Sequence, residues 1–135
     1  MVKSMAAAWA APHFGFADEV VLDPLLRTRD ALRAVLAPHG LRLTFLPLLV
    51  KAASLALQRA PALNGRLEAG GEAFTHLGGH NIGIAMDTPR GLIVPNIKGV
   101  QDLSVLEIAL EMRRLQAAAQ AGSLKEADLT GGSFT

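Results

Sequence analysis

His80-Asn-Ile-Gly-Ile-Ala-Met-Asp-Thr-Pro-Arg-Gly-Leu-Ile-Val-Pro-Asn-Ile-Lys98 is the stretch on which the reading of this chain turns. Two apolar runs, Asn81 to Met86 and Leu92 to Lys98, flank Asp87-Thr-Pro-Arg-Gly91. Apolar and β-branched residues favour a pleated conformation, and the Pro-Arg-Gly punctuation favours reversal. The stretch therefore predicts two strands joined by a turn.

On the C-terminal side, Ser104-Val-Leu-Glu107 has capping-box spacing, so a helix is expected from there to about Ala121, stopping at Gly122. Leu129 to Thr135 is expected to begin a strand. On the N-terminal side, Arg66 to Glu68 and Ala73 to Leu77 flank Ala69-Gly70-Gly71 and predict a hairpin. Leu46 to Arg59 is apolar nearly all round, with Thr44 as candidate cap, Pro47 in the first turn and Pro61 closing it; a buried helix is expected. Asp23-Pro24 opens an amphipathic helix ending near Pro38-His39-Gly40, with Asp23 as its cap. His13 to Leu22 reads as a strand and residues 2 to 10 as an alanine-rich helix inside the fold. Helices mixed with hairpins predict an α/β sandwich of two layers.

Composition excludes several function classes. The chain has 135 residues, one domain or part of one, and is 50% apolar, enough for a core. A net charge of +1 and only one Trp and five Phe give no basic, aromatic surface for nucleic acid. With no cysteine there is no disulfide, thiolate nucleophile or cysteine zinc site. The longest apolar run, Leu46 to Leu57, contains Lys51 and is shorter than the roughly 18 to 20 residues that span a bilayer, so no membrane partner is expected. The first eleven residues carry one Lys and no Arg, a thin basis for a targeting segment.

His13, His39, His76 and His80 show no helical metal-ligand spacing, and Gly78-Gly79 separates the last two, so no metal site is expected. The glycine pairs match neither a dinucleotide fingerprint nor a P-loop, and Ser133 lacks the G-x-S-x-G elbow. From the residues alone, Asp87 reads as turn chemistry, while Arg29 and Gln116 read as solvated helix residues.

Met1-Val-Lys-Ser-Met5, Pro12-His-Phe-Gly15, Asp18-Glu-Val20, Lys51-Ala-Ala-Ser-Leu55, the stretch from His80 to Lys98, Arg114-Leu-Gln116 and Asp128-Leu-Thr-Gly-Gly-Ser-Phe-Thr135 occur in one order along the whole chain. Together they resemble the catalytic domain of dihydrolipoamide acyltransferases of 2-oxo acid dehydrogenase complexes. Gly15 and Ile84-Ala-Met-Asp-Thr88 look most like the branched-chain members.

The resemblance implies a chloramphenicol-acetyltransferase-like fold, truncated on its C-terminal side, and transfer of acyl groups between dihydrolipoamide and coenzyme A. It implies that Arg29, Thr44, Asp87 and Gln116 contact coenzyme A, with Arg29 suited to a phosphate and Thr44 standing where branched-chain relatives usually have Ser. Arg113 is expected to matter less than Arg29 or Asp87. The family's general base lies in a His-x-x-x-Asp-Gly motif, which these residues lack, and its oxyanion serine lies two residues past the Phe-Thr motif. The expectation is therefore a partial catalytic domain over residues 1–135, inactive alone, without a catalytic residue and without lipoyl or peripheral-subunit-binding domains. Lipoamide would arrive on another domain. Implied partners are homotrimers, a larger core, and the decarboxylase and dihydrolipoamide dehydrogenase components. The implied location is the mitochondrial matrix, or the cytoplasm in a bacterium. The strand beginning at Ser133 is expected to leave open edges and an aggregation-prone chain. The rival expectation is a non-catalytic truncated module that binds coenzyme A or the complex core.

Overall fold

The computed structural model describes residues 2–9, 11–40, 42–68 and 71–135. Among the described residues five α-helices run α1 Val2–Trp9, α2 Asp23–Leu36, α3 Leu46–Arg59, α4 Val105–Ala121 and α5 Glu126–Leu129. The strands are β1 Gly65–Leu67, β2 Phe74–His76, β3 Ile82–Gly83, β4 Met86–Thr88, β5 Gly91–Ile93 and β6 Asn96–Ile97. Helices α3 and α4 pack on each other and α4 lies against β4 and β6, giving the expected α/β layering. Among the described residues no helix is long and apolar enough to cross a membrane.

The stretch that decided the reading is one hairpin in one register. Ile82 pairs with Ile97 and Gly83 with Asn96, then Met86 pairs with Ile93, Asp87 with Leu92 and Thr88 with Gly91. The ladder lapses between these pairs because Pro95 has no N–H to donate, although Ile84 N still donates to the Pro95 carbonyl at 2.9 Å. The turn is tighter than expected. Asp87 belongs to β4, and Thr88 does the turn chemistry: its Oγ1 donates to Gly91 O at 2.8 Å and accepts from Arg90 N at 3.2 Å. Gly91 adopts φ +101°, open to glycine at little cost.

Helix α4 follows its pattern. Glu107 N donates to Ser104 Oγ at 3.2 Å and Ser104 N to Glu107 Oε2 at 2.7 Å, closing the capping box. These bonds hold the Glu107 carboxyl below its usual range, Ser104's backbone N–H contributing most. Gly122 ends the helix at φ +66°. The core gathers Val50 from α3, Ile82, Ile84 and Ile97 from the hairpin, and Val100, Ile108 and Leu115; Ile97, Ile108 and Leu115 are 0% exposed. Lys51 Nζ ties α3 to the turn after β6, donating to the carbonyls of Val100, Gln101 and Leu103 at 3.3, 3.0 and 2.7 Å. A smaller cluster seats Leu43 with Leu36 beneath the start of α4.

Several expectations need correction. Residues 13–22 form no strand: they have no ladder partners, and Phe14 and Phe16 are 90% and 79% exposed. α1 is helical, yet Val2, Met5 and Trp9 are exposed rather than inside the fold, and position 10 lies outside the described residues. Asp23 is the first residue of α2, not its cap; Leu22 holds that position without a side-chain bond. Phe45, not Thr44, precedes α3, also without a side-chain bond. α3 buries Pro47, Leu48, Val50, Ser54 and Leu57 but leaves Leu46, Leu49 and Leu55 exposed. β1 and β2 pair as expected, while residues 69 and 70 of their turn lie outside the described residues. Leu129 ends helix α5, and strand-like pairing begins only at Phe134, which bridges Ile82 in parallel.

Candidate functional site

Helix α4 carries Ala109, Met112, Arg113, Gln116, Ala119 and Gln120 at spacings of three and four, so these residues share one face. The capping box and Gly122 set where the helix begins and ends. Leu115 and Ile108, on the buried side, set its rotation. The tip of the hairpin lies across the C-terminal half of that face, with Gln120 Nε2 donating to Asp87 O at 3.3 Å.

Two adjoining clefts open along this face. One, of about 280 Å³, lies between α4 and the segment before α3, with Arg42 and Thr44 facing Arg113 and Gln116. The other, of about 260 Å³, lies between α4 and the hairpin, with Leu46, Ile84, Met86 and Asp87 facing Met112 and Gln116. Met112 and Gln116 line both clefts and join them.

Three of the four nominated residues thus come together. Thr44, released from any capping role, offers an exposed hydroxyl to the first cleft. Asp87 reaches the second from β4, and Gln116 stands at the junction. Arg29 lines neither cleft. Its Nε and Nη2 donate to Asp30 Oδ1 at 3.0 and 2.8 Å, and its guanidinium lies 4.3 Å from the ring centroid of Phe45, the neighbour of Thr44.

Sequence reasoning passed over Arg42 and ranked Arg113 below Arg29 and Asp87. Arg113 lines the same cleft as Thr44 and Gln116, so it is no neutral comparison for Arg29 or Asp87. The signal lay in spacing: Arg113 precedes Gln116 by three positions on a helix. Arg114, one residue on, turns the other way, bonding Glu111 at 2.8 and 2.6 Å and Asp128 at 2.7 Å. The Arg114 guanidinium and the backbone N–H of Lys125 hold the Asp128 carboxyl below the usual carboxylate range. A larger hollow of about 450 Å³ lies on the opposite face of α4, between Lys98, Glu107, Glu111 and Arg114. Its charged groups already serve the capping box, the Glu111–Arg114 pair and a bond from Lys98 to Thr130 O.

His13, His76 and His80 stand elsewhere. His80 is buried, its Nδ1 2.8 Å from Ser54 Oγ. His13 is exposed with Nδ1 2.8 Å from Ala11 O, and His76 stacks edge-on to Phe74 at 4.9 Å. Among the described residues no three His, Cys, Asp or Glu side chains gather as metal ligands would.

Comparison with known proteins places this architecture. The solved dihydrolipoamide acetyltransferase of Azotobacter vinelandii superposes with a TM-score of 0.91 at 32% identity, over 97% of this chain and 54% of that one. A structure described as the cubic core of the pyruvate dehydrogenase multienzyme complex matches with the same TM-score, 0.91. The lipoamide acyltransferase component of the branched-chain alpha-keto acid dehydrogenase complex of Mus musculus, described as mitochondrial, is 50% identical over 135 residues. That alignment covers 100% of this chain and 28% of the mouse protein, so the chain spans just over a quarter of that relative's length. The family model of the 2-oxoacid dehydrogenases acyltransferase (catalytic domain) matches residues 1–135. With the family model matching residues 1–135 and the solved acetyltransferase sharing the fold over 97% of the chain, the chain belongs to the 2-oxoacid dehydrogenase acyltransferases, within their catalytic domain.

Proposed function

We propose that this chain is the coenzyme A-holding part of an acyltransferase catalytic domain of branched-chain type, which moves acyl groups between dihydrolipoamide and coenzyme A. The observation that carries the reading is the convergence of Thr44, Asp87 and Gln116 on two clefts joined through Met112 and Gln116. The surroundings suit such a ligand. Leu46, Ile84 and Met112 give apolar walls, and a few polar side chains converge on them. The two clefts together fall in the range of about 300–1,000 Å³ usual for ligand sites.

Coenzyme A supplies the thiol that exchanges the acyl group. This chain's residues bind and orient it. Asp87 accepts from amide or hydroxyl donors, Gln116 both donates and accepts at the junction, and Thr44 adds a hydroxyl at the other end. Arg29, held over Phe45 and beside Asp30, contributes positive charge near Thr44. Thiol activation needs a general base, and none of the four histidines lies in a His-x-x-x-Asp-Gly sequence. His80 is buried against Ser54 instead. The base must therefore come from outside these 135 residues, and the chain alone binds without turning over. Lipoamide would likewise come on a separate lipoyl domain.

The reading extends to assembly. The exposed Phe14, Phe16, Val20 and Val21, with Leu49 and Leu55 on the outer side of α3, are apolar surface suited to other subunits of a trimeric core. Such a core would work beside the decarboxylase and dihydrolipoamide dehydrogenase components, in the mitochondrial matrix or a bacterial cytoplasm.

Isothermal titration of the chain with coenzyme A tests the reading. Saturable binding is expected, weakened about tenfold by Asp87→Ala and by Gln116→Ala, as loss of a hydrogen bond to a buried partner would do. Absence of binding by the folded chain would overturn it.

A further inference from the structure

Resting on the reading of these clefts as a coenzyme A site, we infer that Arg42 and Arg113 form a cationic clamp for the phosphate end of the ligand. The clamp sets the ligand's direction along α4. Both arginines line the Thr44 cleft, and no carboxylate lines it with them. Among the described residues neither guanidinium forms an ion pair, whereas Arg29, Arg33, Arg66 and Arg114 all do. Among the described residues Arg113 Nη1 reaches only Gly40 O, at 3.5 Å, so most of its donors have no partner among them.

The adjoining cleft has the opposite character. Asp87 is the one charged residue that lines it, among Leu46, Ile84, Met86 and Met112. Its carboxylate repels phosphate and accepts hydrogen bonds from neutral amide or hydroxyl groups. Coenzyme A has the matching asymmetry: phosphate esters at its nucleotide end and an uncharged amide-bearing arm leading to the thiol. Charge complementarity directs the nucleotide phosphates to Arg42 and Arg113 and the arm past Gln116 toward Asp87. Arg29 lies over Phe45 but is paired with Asp30, so the unpaired positive charge at this end is that of Arg42 and Arg113.

The test compares two ligands and two kinds of variant on the full chain, with folding checked by circular dichroism. Coenzyme A carries both halves; pantetheine carries only the arm. Arg42→Gln and Arg113→Gln should each weaken coenzyme A binding about tenfold, the order expected for a charge-assisted bond, and leave pantetheine affinity unchanged. Asp87→Asn should weaken both ligands alike. Adenosine 3′,5′-bisphosphate, the nucleotide end alone, should compete with coenzyme A for wild type and lose about tenfold in each arginine variant. Both arginines are exposed, so the substitutions should leave folding intact. If coenzyme A binds all arginine variants as well as wild type while Asp87→Asn weakens it, the clamp is wrong and the site reading survives. If the arginine variants weaken pantetheine as much as coenzyme A, the direction is wrong. If the bisphosphate binds through the arginines and coenzyme A does not, the clamp is an anion site and the acyltransferase reading falls. If wild type binds none of the three ligands, both fall.

Discussion

The hairpin of residues 80–98 and the arm of residues 11–22 draw on the same kinds of residue and end in opposite states. The hairpin carries four Ile and one Val, the arm two Phe and two Val, all of them strand formers. In the hairpin, Ile82 and Ile97 face each other across a ladder closed by a turn only two residues long, and Ile97 is 0% exposed. In the arm, Phe14 is 90% exposed and no residue pairs. The hairpin carries its partner within itself, so closing the loop costs little entropy. The arm has no such partner among the described residues, and strand propensity alone cannot supply one. Composition nominates a strand, and a neighbour makes it.

Core truncation should separate the two regions most. Ile97→Ala or Leu115→Ala removes a fully buried side chain and should cost about 2–5 kcal/mol, read from the shift of a urea unfolding curve. Phe14→Ala or Phe16→Ala should stay within about 0.5 kcal/mol, as for other surface changes. Equal losses would mean that the arm is packed on the body.

Helix starts give a second, smaller contrast. Ser104→Ala breaks a capping box and should cost about 1 kcal/mol. Asp23 makes no cap bond in α2, so Asp23→Asn should cost only its charge at the helix start, about 0.3–1 kcal/mol. Thermal melts that rank the two changes the other way round would put the cap of α2 back on Asp23.

The smallest effect concerns acid. The Asp128 carboxyl is held below its ordinary value by Arg114 and by Lys125 N–H. Its contribution is therefore complete above the unfolded-state value, about 3.9, and disappears as pH falls through the lower folded-state value. Asp128→Asn should be less stable than wild type at neutral pH, and the gap should close below about pH 4. A gap that persists unchanged to pH 2 would show that the Arg114 contact contributes nothing.

Much of the fold was legible because its signals are local. Ser104 and Glu107 sit three apart, Gly122 follows the last helical turn, and Pro-Arg-Gly marks the reversal. The errors fall where a side chain chooses between equivalent local roles. Thr44 and Asp23 have the chemistry of caps, yet the helices begin one residue away from the expected register. Asp87 has the chemistry of a turn residue, but Thr88 takes that role and Asp87 becomes part of β4. Nothing in the sequence separates these choices, because each differs by one position and only packing sets the position.

Helix periodicity, capping and turn chemistry, together with motifs running the length of the chain, settled helices α2 to α4, the central hairpin, the family and the lack of a His-x-x-x-Asp-Gly motif within these 135 residues, since each depends on residues close together in the chain or on their order. Which polar side chains share a cleft was decided by the tertiary structure alone. Thr44, Asp87 and Gln116 are far apart in sequence and meet because α4 is rotated by its buried Ile108 and Leu115 and crossed by the hairpin tip. The same rotation carries Arg113 into the cleft and turns Arg114 away toward Asp128, a difference of one position that charge and composition cannot express and that a helix of 3.6 residues per turn imposes.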